Sequence, residues 1–227
     1  MKKWIELIDA GMALGAKKAV LISVEDISFE PTFRDACKQN FCGMYGRCWM
    51  CPPDVGPVEE LISMAQKYRY TLVFQTVFPL EDSYDIEGML DAGKRHNNLI
   101  QTLSDQMKGE SFLCLTGGAC QVCVSCAKQE GIPCRFPEKA TASLEAYGID
   151  VSQLARVSGM NYINGANTVT YFGAFLFGTS QEQKGETTYE YDAMDRGNEK
   201  STHQEGHACS IISQHSTDGH RCTRAYQ

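Results

Sequence analysis

Apolar positions recur at helical spacing from the start of the chain. Trp4, Leu7, Ile8, Gly11 and Met12 mark one face of a helix. After the turn-forming run Leu14–Gly15–Ala16, the β-rich stretch AVLISV (residues 19–24) predicts a first strand. Residues 25–56 break the pattern, being polar and rich in cysteine, glycine and proline, and they predict a loop. Gly56 and Pro57 then open a second helix. Proline suits its first turn, Glu59 and Glu60 suit its positive end, and Val58, Leu61, Ile62 and Ala65 form its apolar face.

A second strand is predicted over YTLVFQTVF (residues 70–78), ending at Pro79. A longer helix follows, with Ile86, Met89, Leu90, Gly93, Ile100, Leu103 and Met107 on its inner side and Gly109 as its stop. The third strand, SFLCLT (111–116), runs straight into Gly117 and Gly118. A helical piece is expected around 141–147. Asp150 with Gln153 reads as a capping box for a short helix ending at Gly159, and NTVTYFGAFLF (167–177) reads as a buried closing strand. This alternation predicts an α/β or α+β fold, a sheet of about four strands with flanking helices and two cysteine-rich metal-binding loops, the strand order being left open.

Residues 178–227 change character. They contain no Leu, Val or Phe, yet hold four of the five histidines. Such a composition buries too little apolar surface to offset its ordering entropy, so a disordered polar tail is expected behind a domain spanning 1–177. The pairs His203/His207 and His220/Cys222 have metal-binding spacing, but a disordered tail needs no ligand to explain them.

Composition narrows the function classes. The chain of 227 residues is 43% hydrophobic, enough for one sizeable core, and carries a formal charge of −7. A formal charge of −7 leaves no single-signed basic face to neutralise phosphates, so no nucleic-acid partner is expected. The longest apolar runs, such as FGAFLF (172–177), are too short to span a bilayer. Glu6 and Asp9 interrupt what a signal peptide would need as an apolar region, which points to a cytoplasmic protein.

Eleven cysteines carry the chemistry. In a reducing compartment, grouped thiols more often hold metal than form disulfides. Eight fall into two groups, Cys37/Cys42/Cys48/Cys51 and Cys120/Cys123/Cys126/Cys134, while Cys114, Cys209 and Cys222 stand apart. Cys114 lies inside the third strand and reads as a small buried hydrophobe.

The second group sits in LTGGACQVCVSCAKQEGIPCRFP (115–137). Cysteines at successive spacings of three wrap three corners of an iron–sulfur cube, and a later cysteine, here Cys134, takes the fourth. Gly117 and Gly118 would let the main chain approach the cluster, and Lys128 and Arg135 would offset its negative charge. The first group, CKQNFCGMYGRCWMCPP (37–53), is less regular. It supplies either a second cluster or, through Cys48 and Cys51, two ligands to a single shared metal. Structural zinc is the alternative occupant, although zinc is usually held by two separated pairs of ligands.

Taken in order, ACKQNFCGMYGRCWMCPPDVGPVEE (36–60) and LTGGACQVCVSCAKQEGIPCRFPEKATASLEAYGIDV (115–151) resemble the prokaryotic family of predicted metal-binding proteins called domain of unknown function 2284, over roughly residues 1–177. The resemblance implies metal binding. Its pattern falls on Cys37, Cys42 and Cys51 and on Cys120, Cys123, Cys126 and Cys134, whereas Cys48 stands where a non-cysteine residue is expected.

Three functions follow. The leading one is an iron–sulfur protein, with one or two [4Fe-4S] clusters, that exchanges electrons with a redox partner protein. Another is an enzyme whose cluster or metal keeps an open position, with Glu145, Asp150 and Arg135 as polar groups near a pocket; their ordinary roles would be helix surface, helix cap and loop salt bridge. The remaining one is a zinc-stapled interaction module without chemistry. Cys51 as a catalytic nucleophile lacks a nearby histidine, since His96, the core's single histidine, is expected on a solvated helix face.

Overall fold

The computed structural model describes residues 2–179, with side chains through residue 178; the expected tail lies outside the described residues from residue 180 onward. Helix α1 (Lys2–Ala13) leads into strand β1 (Lys18–Ser23). A long excursion follows, with 3-10 turns at Val24–Asp26 and Pro31–Arg34 and the short helix α2 (Asp35–Lys38). Then come α3 (Val58–Ala65), β2 (Tyr68–Pro79), α4 (Ile86–Gln106), β3 (Phe112–Thr116), the two-residue strand β4 (Ala142–Ser143), α5 (Val151–Val157) and β5 (Thr168–Thr179).

The sheet has five strands in the order β1-β2-β5-β3-β4, not the four expected. The additional strand pairs parallel to β3 through Leu115↔Ala142 and Thr116↔Ser143. It takes the place of the helical piece expected around 141–147, of which only a 3-10 turn at Glu145–Tyr147 is helical. Two residues are too few to show a period, so this strand is stabilised by its neighbour and not by its own pattern.

Alternation along the long central strands supplies both faces of the core. Leu72, Phe74, Phe175 and Phe177 point to one side, where they meet Trp4 and Leu7 of α1 and Leu99, Ile100 and Leu103 of α4. Val73, Ala174 and Leu176 point to the other, against Leu61 and Ala65 of α3 and Leu154 of α5. Trp4 stacks on Phe177 with ring centroids 3.7 Å apart.

The inner side expected for helix α4 is buried at Gly93, Ile100, Leu103 and Met107, but the helix differs in its N-terminal part. Its buried face carries Ala92, Gly93, His96, Asn97, Leu99, Ile100 and Leu103, while Ile86 and Leu90 are exposed. His96, expected in solvent, is fully buried, with Nδ1 2.9 Å from Thr76 Oγ1 and its ring stacked on Tyr171. Asn97 is buried too, donating to the Gly93 carbonyl at 3.0 Å and accepting from Thr116 at 3.3 Å. These hydrogen bonds make burial of the polar groups tolerable, and hydropathy alone does not reveal them.

Close approach of α4 to the sheet depends on Gly173. A Cβ there would lie 2.4 Å from Ile100 Cδ1 and 3.2 Å from His96 Nε2, both in fully buried side chains. Gly173→Ala is therefore expected to destabilise the protein by about 1–3 kcal/mol despite alanine's better strand propensity. Urea unfolding checks this, and an unchanged midpoint would show that α4 yields freely.

Strands β1 and β3 run in opposite directions, as their successive antiparallel pairings through β2 and β5 require, so their following loops leave the sheet at opposite ends. The first loop is carried back by pairing of residues 28–30 with 148–150: Glu30 N–H donates to Gly148 O at 2.6 Å, and Asp150 N–H to Ser28 O at 3.2 Å.

Candidate metal centre

Strand β3 ends on buried Leu115 and Thr116 and passes into the second cysteine loop through the two glycines. Gly117 lies against β5, where a Cβ would be 3.3 Å from both Phe172 O and Tyr171 Cδ1. Gly118 has φ +76° with open space around it, so its lack of a side chain serves the turn itself. The loop then runs through a 3-10 turn at Ala127–Glu130 before returning to β4.

Four side-chain contacts lock the two cysteine loops together. Trp49 Nε1–H donates to Ile132 O at 3.0 Å, and Arg47 donates to Gln129 Oε1 at 2.7 Å. Lys128 pairs with Asp54 and lies 4.3 Å from the Trp49 ring centroid. Half-buried ion pairs and cation–π contacts of this kind are worth more than exposed ones because solvent screens them less. Lys128 thus ties one loop to the other.

This docking sets the grouping of the thiols. Cys120, Cys123, Cys126 and Cys134 line one cavity, and Cys48 from the first loop lines it with them. Val122, Ala127 and Phe136 supply apolar wall, and Arg135 stands at its edge, bonded to Glu130, to Ser125 O at 3.3 Å and to Cys123. Main-chain amides point at the sulfurs: those of Met50 and Cys120 donate to Cys48 Sγ, and those of Val122 and Thr141 to Cys120 Sγ. Cys48 is also hydrogen-bonded to the side chains of Cys51 and Cys126.

The bond from the Cys51 thiol holds the Cys48 pKa below the ordinary thiol value against burial, and the Met50 amide adds to that pull. Cys51, which keeps the shared proton, is pushed well up by Cys48, with burial adding to the shift. Burial also raises Cys120, against the pull of its two amides.

The remaining thiols of the first loop form a separate neighbourhood. Cys51 feels the charges of Cys48, Cys42 and Cys37. Cys37, on α2, is raised chiefly by burial and then by Glu145 and Cys42, while Arg34 opposes the shift. Glu145 faces this group, away from the helix surface expected for it, and burial raises its carboxyl against bonds from its own N–H and from Ser143. Asp150 caps α5, accepting from the amides of Ser152 at 2.9 Å and Gln153 at 3.0 Å; the Gln153 side chain bonds Asp26 O and the Ser28 N–H and does not complete a capping box. Cys114 packs among the apolar groups between the sheet and α1/α4, and burial pushes its pKa up to about 12.

All nine cysteines among the described residues are free thiols. The cavity's donor set is entirely thiol, a soft set that fits thiophilic metal chemistry and not hard cations. Among the described residues, no three histidine, cysteine or carboxylate side chains are gathered as ligands of one metal ion. Two groups at the site escape the sequence reading. Asp54 gives no motif signal, and Arg34 stands three residues before Cys37 in an unremarkable polar stretch.

A family model described as "Predicted metal-binding protein (DUF2284)" matches residues 20–177. No curated protein and no solved structure matches the chain. Among the described residues no helix is long and apolar enough to cross a membrane.

Proposed function

Because the chain belongs to the DUF2284 family of predicted metal-binding proteins, we propose that it binds an iron–sulfur cluster, of the [4Fe-4S] type, through Cys120, Cys123, Cys126 and Cys134 and exchanges electrons with a redox partner protein. The observation that carries this reading is the lining of one cavity by these four thiols and Cys48. A single tetrahedral zinc needs its sulfurs within about 3.8 Å of one another, as Zn–S bonds of ~2.3 Å dictate. A cube presents separate iron corners, which suits the closely spaced triplet Cys120, Cys123 and Cys126 with Cys134 as the fourth ligand. When bound, the cluster would supply one-electron chemistry.

The chain's own residues would set its environment. Amides aimed at Cys48 and Cys120 favour the thiolate forms, and Arg135, bonded to Cys123, offsets negative charge there. Val124, Ile132 and Phe136 of the same loop are exposed, an apolar rim that suits docking of a partner protein. Cys37, Cys42 and Cys51 would serve a second cluster, and we place the protein in the cytoplasm, where such thiols stay reduced.

Anaerobic purification tests the reading. Iron and sulfide in near-equal amounts, with thiolate-to-iron charge-transfer absorption, are expected. Stoichiometric zinc without sulfide would overturn it and leave the zinc-stapled module in its place.

A further inference from the structure

A second cavity, of about 220 Å³, opens beside α2 and is lined by Pro31, Arg34, Asp35, Lys38, Tyr45, Pro52, Pro53 and Val58. Arg34 is 9% exposed, and its NH1 group is buried without a hydrogen-bond partner. A guanidinium held out of water with an unused donor is costly unless an anion meets it. The cavity's charged lining is two cations against one carboxylate, and Asp35 is already taken by Lys38 at 2.7 Å. That leaves Arg34 without a carboxylate partner among the lining residues, and the Tyr45 phenol is a further donor in the same lining.

The walls restrict what the anion is. Pro31, Pro52, Pro53 and Val58 offer apolar surface to the rest of a ligand, which inorganic phosphate cannot use. The volume lies below the ~300–1,000 Å³ typical of drug-sized ligands. Planar guanidinium matches planar carboxylate through paired N–H donors. We propose that this cavity binds a small organic monocarboxylate, with its carboxylate on Arg34 and its alkyl part against the prolines and Val58. The proposal does not rest on the identity of any metal in the thiol loops.

Sodium propionate is the probe, titrated calorimetrically into the full chain as purified and again after metal loading. Propionamide and inorganic phosphate are the comparison ligands. Propionate is expected to bind at millimolar concentrations in both preparations, with propionamide and phosphate at least about tenfold weaker. Arg34→Met, which keeps the side chain's length without charge, should weaken propionate about tenfold or more, and Lys38→Met less. Should Arg34→Met fail to fold, Arg34→Lys and Tyr45→Phe carry the test, each expected to weaken propionate several-fold. Equal binding of propionate and propionamide, tighter binding of phosphate, no propionate binding, or unchanged affinity in the folded Arg34 variant would each overturn the proposal.

Discussion

Replacing Cys123 by serine is expected to remove about one cluster's worth of iron and sulfide, about four atoms of each per chain, together with the matching absorption. Serine is a harder and poorer ligand for iron than thiolate. Cys123 lies mid-way through the tight triplet, so its loss leaves a corner unligated and removes one contact of Arg135, which keeps Glu130 and Ser125 O. Cys48→Ser is expected to do less, because Cys120, Cys123, Cys126 and Cys134 still surround the cavity without it. Its main cost would be the exchange of a buried thiol, 1% exposed, for a hydroxyl that must use the same Met50 and Cys120 amides. Iron and sulfide assays on anaerobic preparations of both variants decide the matter. If Cys123→Ser keeps its cluster while Cys48→Ser loses it, Cys48 is a ligand and the ligand set proposed above is wrong.

The second large effect is on stability against acid. Burial holds His96 down to about 4 from an ordinary 6.5, against a smaller opposing pull from the Phe172 backbone. The unfolded chain therefore binds a proton between those values that the folded chain refuses. Stability from this group is complete above about pH 6.5 and is lost as the pH falls toward 4, by up to about 3 kcal/mol. His96→Gln, which retains a group able to bond Thr76, should flatten that part of the profile. Urea midpoints of both proteins from pH 7 to pH 4 measure the difference, and acid loss of metal from the thiol loops affects both alike. Parallel profiles would mean that the buried ring takes up its proton in place.

Much of the fold is legible from pattern. Strands β1, β2, β3 and β5 lie within two or three residues of the expected runs, because each supplies enough alternating or continuous apolar positions to show itself. Helix α4 also shows its length and, from Gly93 onward, its apolar inner positions, but not its N-terminal face or its buried polar groups. Ile86 and Leu90 look like core yet stay outside, while His96 and Asn97 go inside with Thr76, Thr116 and the Gly93 carbonyl as partners. Hydropathy scores each residue alone, and those partners lie on other elements or a turn away.

The candidate site divides in the same way. Spacing of three residues keeps Cys120, Cys123 and Cys126 within reach of one another whatever the rest of the chain does, so their grouping belongs to the sequence itself. The side to which Cys48 turns does not, since sequence neighbours suggest Cys37, Cys42 and Cys51. Its place beside Cys126 follows from the docking of two loops that leave opposite ends of the sheet, secured by Arg47 to Gln129, Trp49 to Ile132 and Asp54 to Lys128. Arg34 gained its buried position the same way, through a segment carried across to residues 148–150. Local spacing thus determined which residue types could meet within one loop, and insertion of β5, the last of the described strands, at the centre of the sheet decided which distant loops met. Backbone reach controls the first over a few residues. The second depends on non-local strand pairing, whose partners no short window of sequence contains.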